Sequence, residues 1–130
     1  MTALTVVVTD DDGVLRQLIK LVLERSSAYT VVGEASAAEE CISVVGALQP
    51  DIVLLDLGLP GMDGLDAIPQ LKVVAPSSLV VVLSAHARDR MGPQAEDRGA
   101  DGYLEKGNLV TELVPTLTAA VAASRVSPRR

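Results

Sequence analysis

Five polar residues stand where apolar runs end. Asp10 and Asp11 follow Leu4-Thr5-Val6-Val7-Val8 after one threonine, and Asp56 follows Ile52 to Leu55 directly. Ser84 follows Leu79 to Leu83, and Lys106 follows Tyr103-Leu104-Glu105. A carboxylate at the end of a buried run is costly unless it meets water or a positive partner. Three carboxylates in one cleft also repel each other, and a divalent cation removes that conflict. Oxygen ligands with no His or Cys beside them suit Mg2+, which keeps several of its waters. An ionised carboxylate can then attack phosphorus and become an acyl phosphate. Phosphoryl transfer asks a protein mainly to place charge around three equatorial oxygens. Mg2+ would take one, the Lys106 ammonium a second, and the Ser84 hydroxyl with nearby backbone N–H groups the third. Ala85 leaves room beside such a group, and the glycines after Asp56 let backbone approach closely.

These residues need elements to position them. Leu4 to Val8 reads as a strand, and Tyr29 to Val32 as a second. Asp51 to Leu55, Leu79 to Leu83 and Tyr103 to Glu105 supply three more. Between them, apolar residues recur at helical period: Val14, Leu15, Leu18, Ile19 and Val22, then Ala38, Ile42, Val45 and Leu48. Asp12 is placed to cap the first helix, Ser36-Ala-Ala-Glu39 has the capping-box pattern, and Asp63 is placed to cap the third. Helices are expected over 65–75 and 87–98, and a last one carries Leu113, Leu117, Ala120 and Val121. Strand and helix thus alternate five times, which predicts a parallel sheet covered on both faces. The unbroken runs IVLL and LVVVL agree, because strands buried on both sides do not alternate. Ligands of such sheets bind beyond the carboxyl ends of the strands, where all five residues fall.

Three prolines challenge the helices. Pro69, Pro93 and Pro115 all lie inside helical stretches, where proline removes a hydrogen bond. Gly92-Pro93 sits in a stretch poor in apolar residues, so the fourth helix is expected to be short, distorted or mobile. Pro115 is tolerated if the last helix starts near Thr111, because it then lies close to the first turn.

The totals narrow the class. The chain has 130 residues, enough for one domain with a sizeable core. It has two Tyr and no Phe or Trp, so Val, Leu, Ile and Ala must build that core. A net charge of -6 argues against an intrinsic nucleic-acid surface. The single cysteine, Cys41, excludes an internal disulfide and reads as a small buried hydrophobe on a helix. No secretory signal or membrane-length apolar segment is present, which reads as a soluble cytoplasmic protein that binds no membrane.

The acidic pair in VVVTDDDGVLR, with PDIVLLDLGLPGMDG, VVVLSAHA and GADGYLEKG, resembles the receiver domain of two-component response regulators. The resemblance covers essentially the whole chain. It implies a flavodoxin-like fold with five parallel strands in the order 2-1-3-4-5. It implies Asp56 as phosphoacceptor, Asp11 as direct metal ligand, Asp10 acting through water, and the Gly58 carbonyl on the metal. Ser84 and Lys106 match the switch hydroxyl and the phosphate-binding lysine, and Tyr103 matches the aromatic that turns inward. The donor implied is a phosphohistidine on a sensor kinase. The surface of the fourth helix, fifth strand and fifth helix would then change toward an output domain or docking partner, with transcription as the output. A phosphorylation-linked homodimer is compatible with this reading. Residues 1–124 form the receiver, and 125–130 a tail or the start of a linker.

Two departures stand out. Gly107 replaces the proline that follows the lysine in many members, and Gly58 leaves no side chain where the family tunes hydrolysis. His86 reads as a loop side chain at the rim. Other functions fit less well. Haloacid-dehalogenase-type phosphatases carry an acid two positions past the nucleophile, where this chain has Gly58. A dinucleotide site wants a glycine-rich turn after the first strand, where this chain has Asp10-Asp11-Asp12. A receiver kept only as an interaction scaffold remains the alternative.

Overall fold

Each residue of Ile52-Val53-Leu54-Leu55-Asp56 is buried, as a strand covered on both faces must be. The computed structural model describes residues 2–126. This segment is β3 (Ile52–Asp56), at the centre of a parallel sheet with β1 (Leu4–Thr9), β2 (Tyr29–Ala35), β4 (Leu79–Ser84) and β5 (Gly102–Glu105). The order is β2-β1-β3-β4-β5, the doubly wound arrangement expected. The helices are α1 (Gly13–Glu24), α2 (Ala38–Leu48), α3 (Gly64–Val74), α4 (Arg88–Asp97) and α5 (Leu109–Val126).

Strand residues alternate between two cores. Val7, Val53, Leu55, Val80, Val82 and Tyr103 face α2, α3 and α4. Val6, Val8, Ile52, Leu54, Val81, Leu83 and Leu104 face α1 and α5. The two tyrosines divide in the same way. Tyr103 packs in the first core and Tyr29 in the second, where the Tyr29 hydroxyl meets Thr118 Oγ1 at 2.9 Å. Edge strand β2 carries a bulge: Val6 pairs with Val31 and Val7 with Gly33, leaving Val32 extra.

Several expectations change. Asp12 and Asp63 cap α1 and α3 as anticipated, accepting Val14 N–H at 2.9 Å and Leu65 N–H at 3.0 Å. The capping box at Ser36 is displaced. Helix α2 begins at Ala38, so the position three residues into it is Glu40, not Glu39. Ser36 gives both its N–H (2.8 Å) and its hydroxyl (3.1 Å) to Glu40 Oε1. Helix α4 runs unbroken through Gly92-Pro93 over 10 residues. Helix α5 starts at Leu109, so Pro115 lies past its first turn. All three prolines are exposed, and the residues one turn before Pro93 and Pro115, Asp89 and Thr111, are exposed too, so the carbonyls left unpaired there can be hydrated. Strand β2 runs on to Ala35, and Arg125 and Val126 continue α5. Of the expected tail, residues 127–130 lie outside the described residues.

Candidate functional site

Parallel pairing brings the polar strand ends into one row. Asp56 pairs with Leu83, one residue before Ser84, and Ser84 pairs with Glu105, one residue before Lys106. On the other side, β1 pairs with β3 up to Thr9 and Leu55, so Asp10 leaves the sheet beside Asp56. After β5 the chain enters a 3-10 turn, Lys106–Asn108, which carries the lysine over the sheet end.

Asp10, Asp56 and Ser84 are buried, and Lys106 is about one-quarter exposed. Lys106 Nζ lies 3.1 Å from Asp10 Oδ2 and 3.1 Å from Asp56 Oδ2. The other oxygens are fixed by backbone: Asp12 N–H gives to Asp10 Oδ1 at 2.9 Å, and Gly58 N–H to Asp56 Oδ1 at 2.9 Å. Asp11 is exposed, yet its carboxylate joins the other two, with one donor oxygen from each of the three within 4.8 Å of one another.

The charges are unbalanced. Burial raises the pKa of Asp10, the Asp56 charge adds to it, and Asp12 N–H and Lys106 offset part. Burial works against the Lys106 ammonium, but its bonds to Asp10 and Asp56 outweigh that and raise its pKa. Asp10 Oδ2 and Asp56 Oδ2 are buried without a hydrogen-bond donor, their contact with Lys106 being ionic. Two buried carboxylate oxygens that share one ammonium, beside a third carboxylate, form a donor set that fits a hard divalent cation.

Ser84 Oγ accepts the His86 N–H at 3.0 Å. Its own proton remains free to be donated. Tyr103 lies inward in this structure, its ring buried and its hydroxyl given to the His86 carbonyl at 2.8 Å. The His86 side chain is exposed, at the rim as expected. Cys41 is buried, accepts the Thr9 hydroxyl at 3.0 Å, and has its pKa pushed up by burial to about 11.

The sequence reading missed three contacts, two of them beside the site. Arg16 Nη1 donates to the Asp10 carbonyl at 2.6 Å, while its Nε pairs with Glu34 at 3.0 Å. Lys72 pairs with Asp101 at 2.6 Å beside the starts of β4 and β5, at the far end of the sheet. Glu105 accepts the Arg88 N–H at 3.0 Å. Each joins distant segments, so no local pattern announces it.

With this geometry in place, the chain belongs to the response regulator receiver domain family, whose pattern matches residues 6–118. It is 38% identical over 122 residues to the nitrate/nitrite response regulator protein NarL of Escherichia coli (strain K12), covering 94% of this chain and 56% of that one. It is 34% identical over 116 residues to the transcriptional regulatory protein YdfI of Bacillus subtilis (strain 168), covering 89% of this chain and 54% of that one. The chain therefore spans little more than half the length of these relatives. A response regulator protein from Burkholderia pseudomallei, solved with a phosphorylated aspartic acid, calcium ion and citrate, superposes with a TM-score of 0.78. That match is 30% identical and covers 93% of this chain and 71% of the other. Among the described residues, no helix is long and apolar enough to cross a membrane.

Proposed function

We propose that this chain is a phosphorylation-controlled switch in which Asp56 accepts a phosphoryl group from a phosphohistidine of a sensor kinase. The observation that carries this reading is the buried Asp56 carboxylate, held 3.1 Å from the Lys106 ammonium beside a second buried carboxylate. An Asp56 oxygen attacks phosphorus, the O–P bond forms and the P–N bond breaks. The leaving imidazole nitrogen keeps the electron pair and takes a proton from solvent. Lys106 neutralises charge on one phosphoryl oxygen, and the Ser84 hydroxyl gives its free proton to another. The carboxylates of Asp10, Asp11 and Asp56, with the Gly58 carbonyl, would hold Mg2+. Bound there, Mg2+ supplies charge neutralisation for the transferred group.

Phosphorylation then biases a two-state surface of α4, β5 and α5 toward an output domain or docking partner. The similarity to YdfI, a transcriptional regulatory protein, supports transcription as the output. With a net charge of -6, the receiver itself does not supply the DNA contact.

The test is intact mass after incubation with Mg2+ and a small acyl phosphate, with Asp56→Ala and metal-free controls. Gain of one phosphoryl mass in the wild type with Mg2+ alone is expected. No gain in a folded wild type would overturn the reading and leave an interaction scaffold.

A further inference from the structure

Helix α4 is lightly anchored. Ala95 is its one fully buried residue, its interior carries Gly92-Pro93, and its N-cap is Ala87, which has no side-chain acceptor. The acceptor comes from another strand. Glu105 Oε2, on β5, takes the Arg88 N–H at 3.0 Å. Arg88 is the first residue of α4, so this carboxylate sits at the positive end of the helix dipole. Arg88 answers in kind, its Nη2 donating to the Tyr103 carbonyl at 3.1 Å.

Glu105 is also bound into the strand-end row. It pairs with Ser84 across the sheet and adjoins Lys106, which holds both buried carboxylates. Ser84 accepts from His86 N–H, and the His86 carbonyl accepts from Tyr103. The stretch 84–88 is thus tied to β5 by bonds from Tyr103 and Glu105, with the proposed site at one end and α4 at the other.

We propose that Glu105 supplies, from across the sheet, the capping acceptor that Ala87 lacks at the start of α4, and that this cap ties the position of α4 to the phosphoacceptor pocket. The first half stands on the geometry alone. The second half rests on the function proposed above. Glu105 touches no reacting group, so it acts as a positioning residue.

Amide hydrogen exchange on the full chain tests both halves, with wild type, Glu105→Ala and Glu105→Gln. Without metal or donor, α4 amides are expected to exchange about tenfold faster in Glu105→Ala, the size of effect a lost N-cap produces. Amides of α1 and α2 should be unchanged. Glu105→Gln keeps an acceptor oxygen but loses the charge, and should fall between. Unchanged α4 exchange in Glu105→Ala, or a uniform rise across all helices, overturns the cap. The second arm adds Mg2+ and acyl phosphate, with intact mass run in parallel. Wild type should gain phosphoryl mass and shift its α4 exchange. Glu105→Ala should gain the same mass with no further shift in α4. A wild-type-like shift in that variant overturns the coupling. No mass gain in wild type sinks the phosphoacceptor reading and the coupling with it, while the first arm still decides the cap.

Discussion

Asp10 and Asp56 are held alike. Each accepts at Oδ1 the backbone N–H two residues further on, at 2.9 Å, and each turns Oδ2 to the same Lys106 ammonium, at 3.1 Å. One cation thus serves two buried carboxylates, with Asp11 close by. The fold tolerates this surplus of negative charge because it lies at the open end of the sheet. On the function proposed above, stability is given up at the place where Mg2+ and a phosphoryl group would be received.

That surplus predicts a stabilising substitution. Asp56→Asn removes one of the repelling charges and leaves Lys106 paired with Asp10. In chelator, its melting temperature should exceed that of wild type by a few degrees, equivalent to about 1 kcal/mol. Millimolar Mg2+ should then stabilise the wild type more than the variant, since binding to the folded state alone raises stability. A lower melting temperature for Asp56→Asn in chelator would mean that its attraction to Lys106 outweighs the repulsion.

Two ion pairs at opposite extremes should behave differently. Asp101 Oδ2 accepts from Lys72 at 2.6 Å and from Val80 N–H at 2.9 Å, in a half-buried setting. Asp101→Ala removes the acceptor of the Val80 N–H and the charged partner of Lys72, which keeps the Ser78 carbonyl at 3.0 Å, and is expected to cost about 1–3 kcal/mol in urea unfolding. The Arg98–Asp66 pair is exposed and 4.0 Å long, so Asp66→Ala should cost less than about 0.5 kcal/mol. Equal losses would show that burial is not what sets their worth.

Two glycines near the site should tolerate a methyl group unequally. A Cβ at Gly64 would stand 2.6 Å from the Leu57 Cα, a backbone atom that cannot rotate away. Gly64→Ala is expected to cost about 1–3 kcal/mol and to lower the melting temperature by roughly 5–10 °C. A Cβ at Gly107 would meet nothing within 4 Å, and Gly107→Ala should stay within about 0.5 kcal/mol of wild type.

The Cys41 thiol carries a pH dependence. Burial lifts its pKa to about 11, above the ordinary thiol value of about 8.5. The folded state therefore holds the proton more tightly than the unfolded one. Its contribution to stability is complete below the ordinary value and is lost as pH climbs through about 11. Alkylation at pH 8 should run at least about 100-fold slower than in urea-unfolded chain, from thiolate fraction alone. A wild-type stability curve flat from pH 8.5 to 11, with the Cys41→Ala curve parallel to it, would contradict this.

The strands were plain in the sequence because burial on both faces writes uninterrupted Val, Leu and Ile. Their spatial order was not, since hydropathy carries no neighbour information, and the family resemblance supplied it. At the site, residue type and position after each strand were enough to bring Asp10, Asp11, Asp56 and Lys106 together. Helix α4 is the shortest of the five α-helices, as Gly92 and Pro93 led one to expect, yet it runs unbroken because Pro93 is exposed and the carbonyl it leaves unpaired belongs to exposed Asp89. The Ser36 cap slipped by one residue because the helix start moved. Arg16, Lys72 and Glu105 acquire meaning only when remote segments meet.

The division of the two tyrosines between the cores has an optical consequence. With no tryptophan or phenylalanine in the chain, Tyr29 and Tyr103 account for the whole aromatic absorbance, one chromophore for each face of the sheet. Tyr29→Leu would leave a protein whose ultraviolet emission arises solely beside the His86 carbonyl, where the Tyr103 hydroxyl is bonded. The fold thus carries its own spectroscopic probe at the end of the loop that leads from Ser84, and no attached dye is needed to watch that loop.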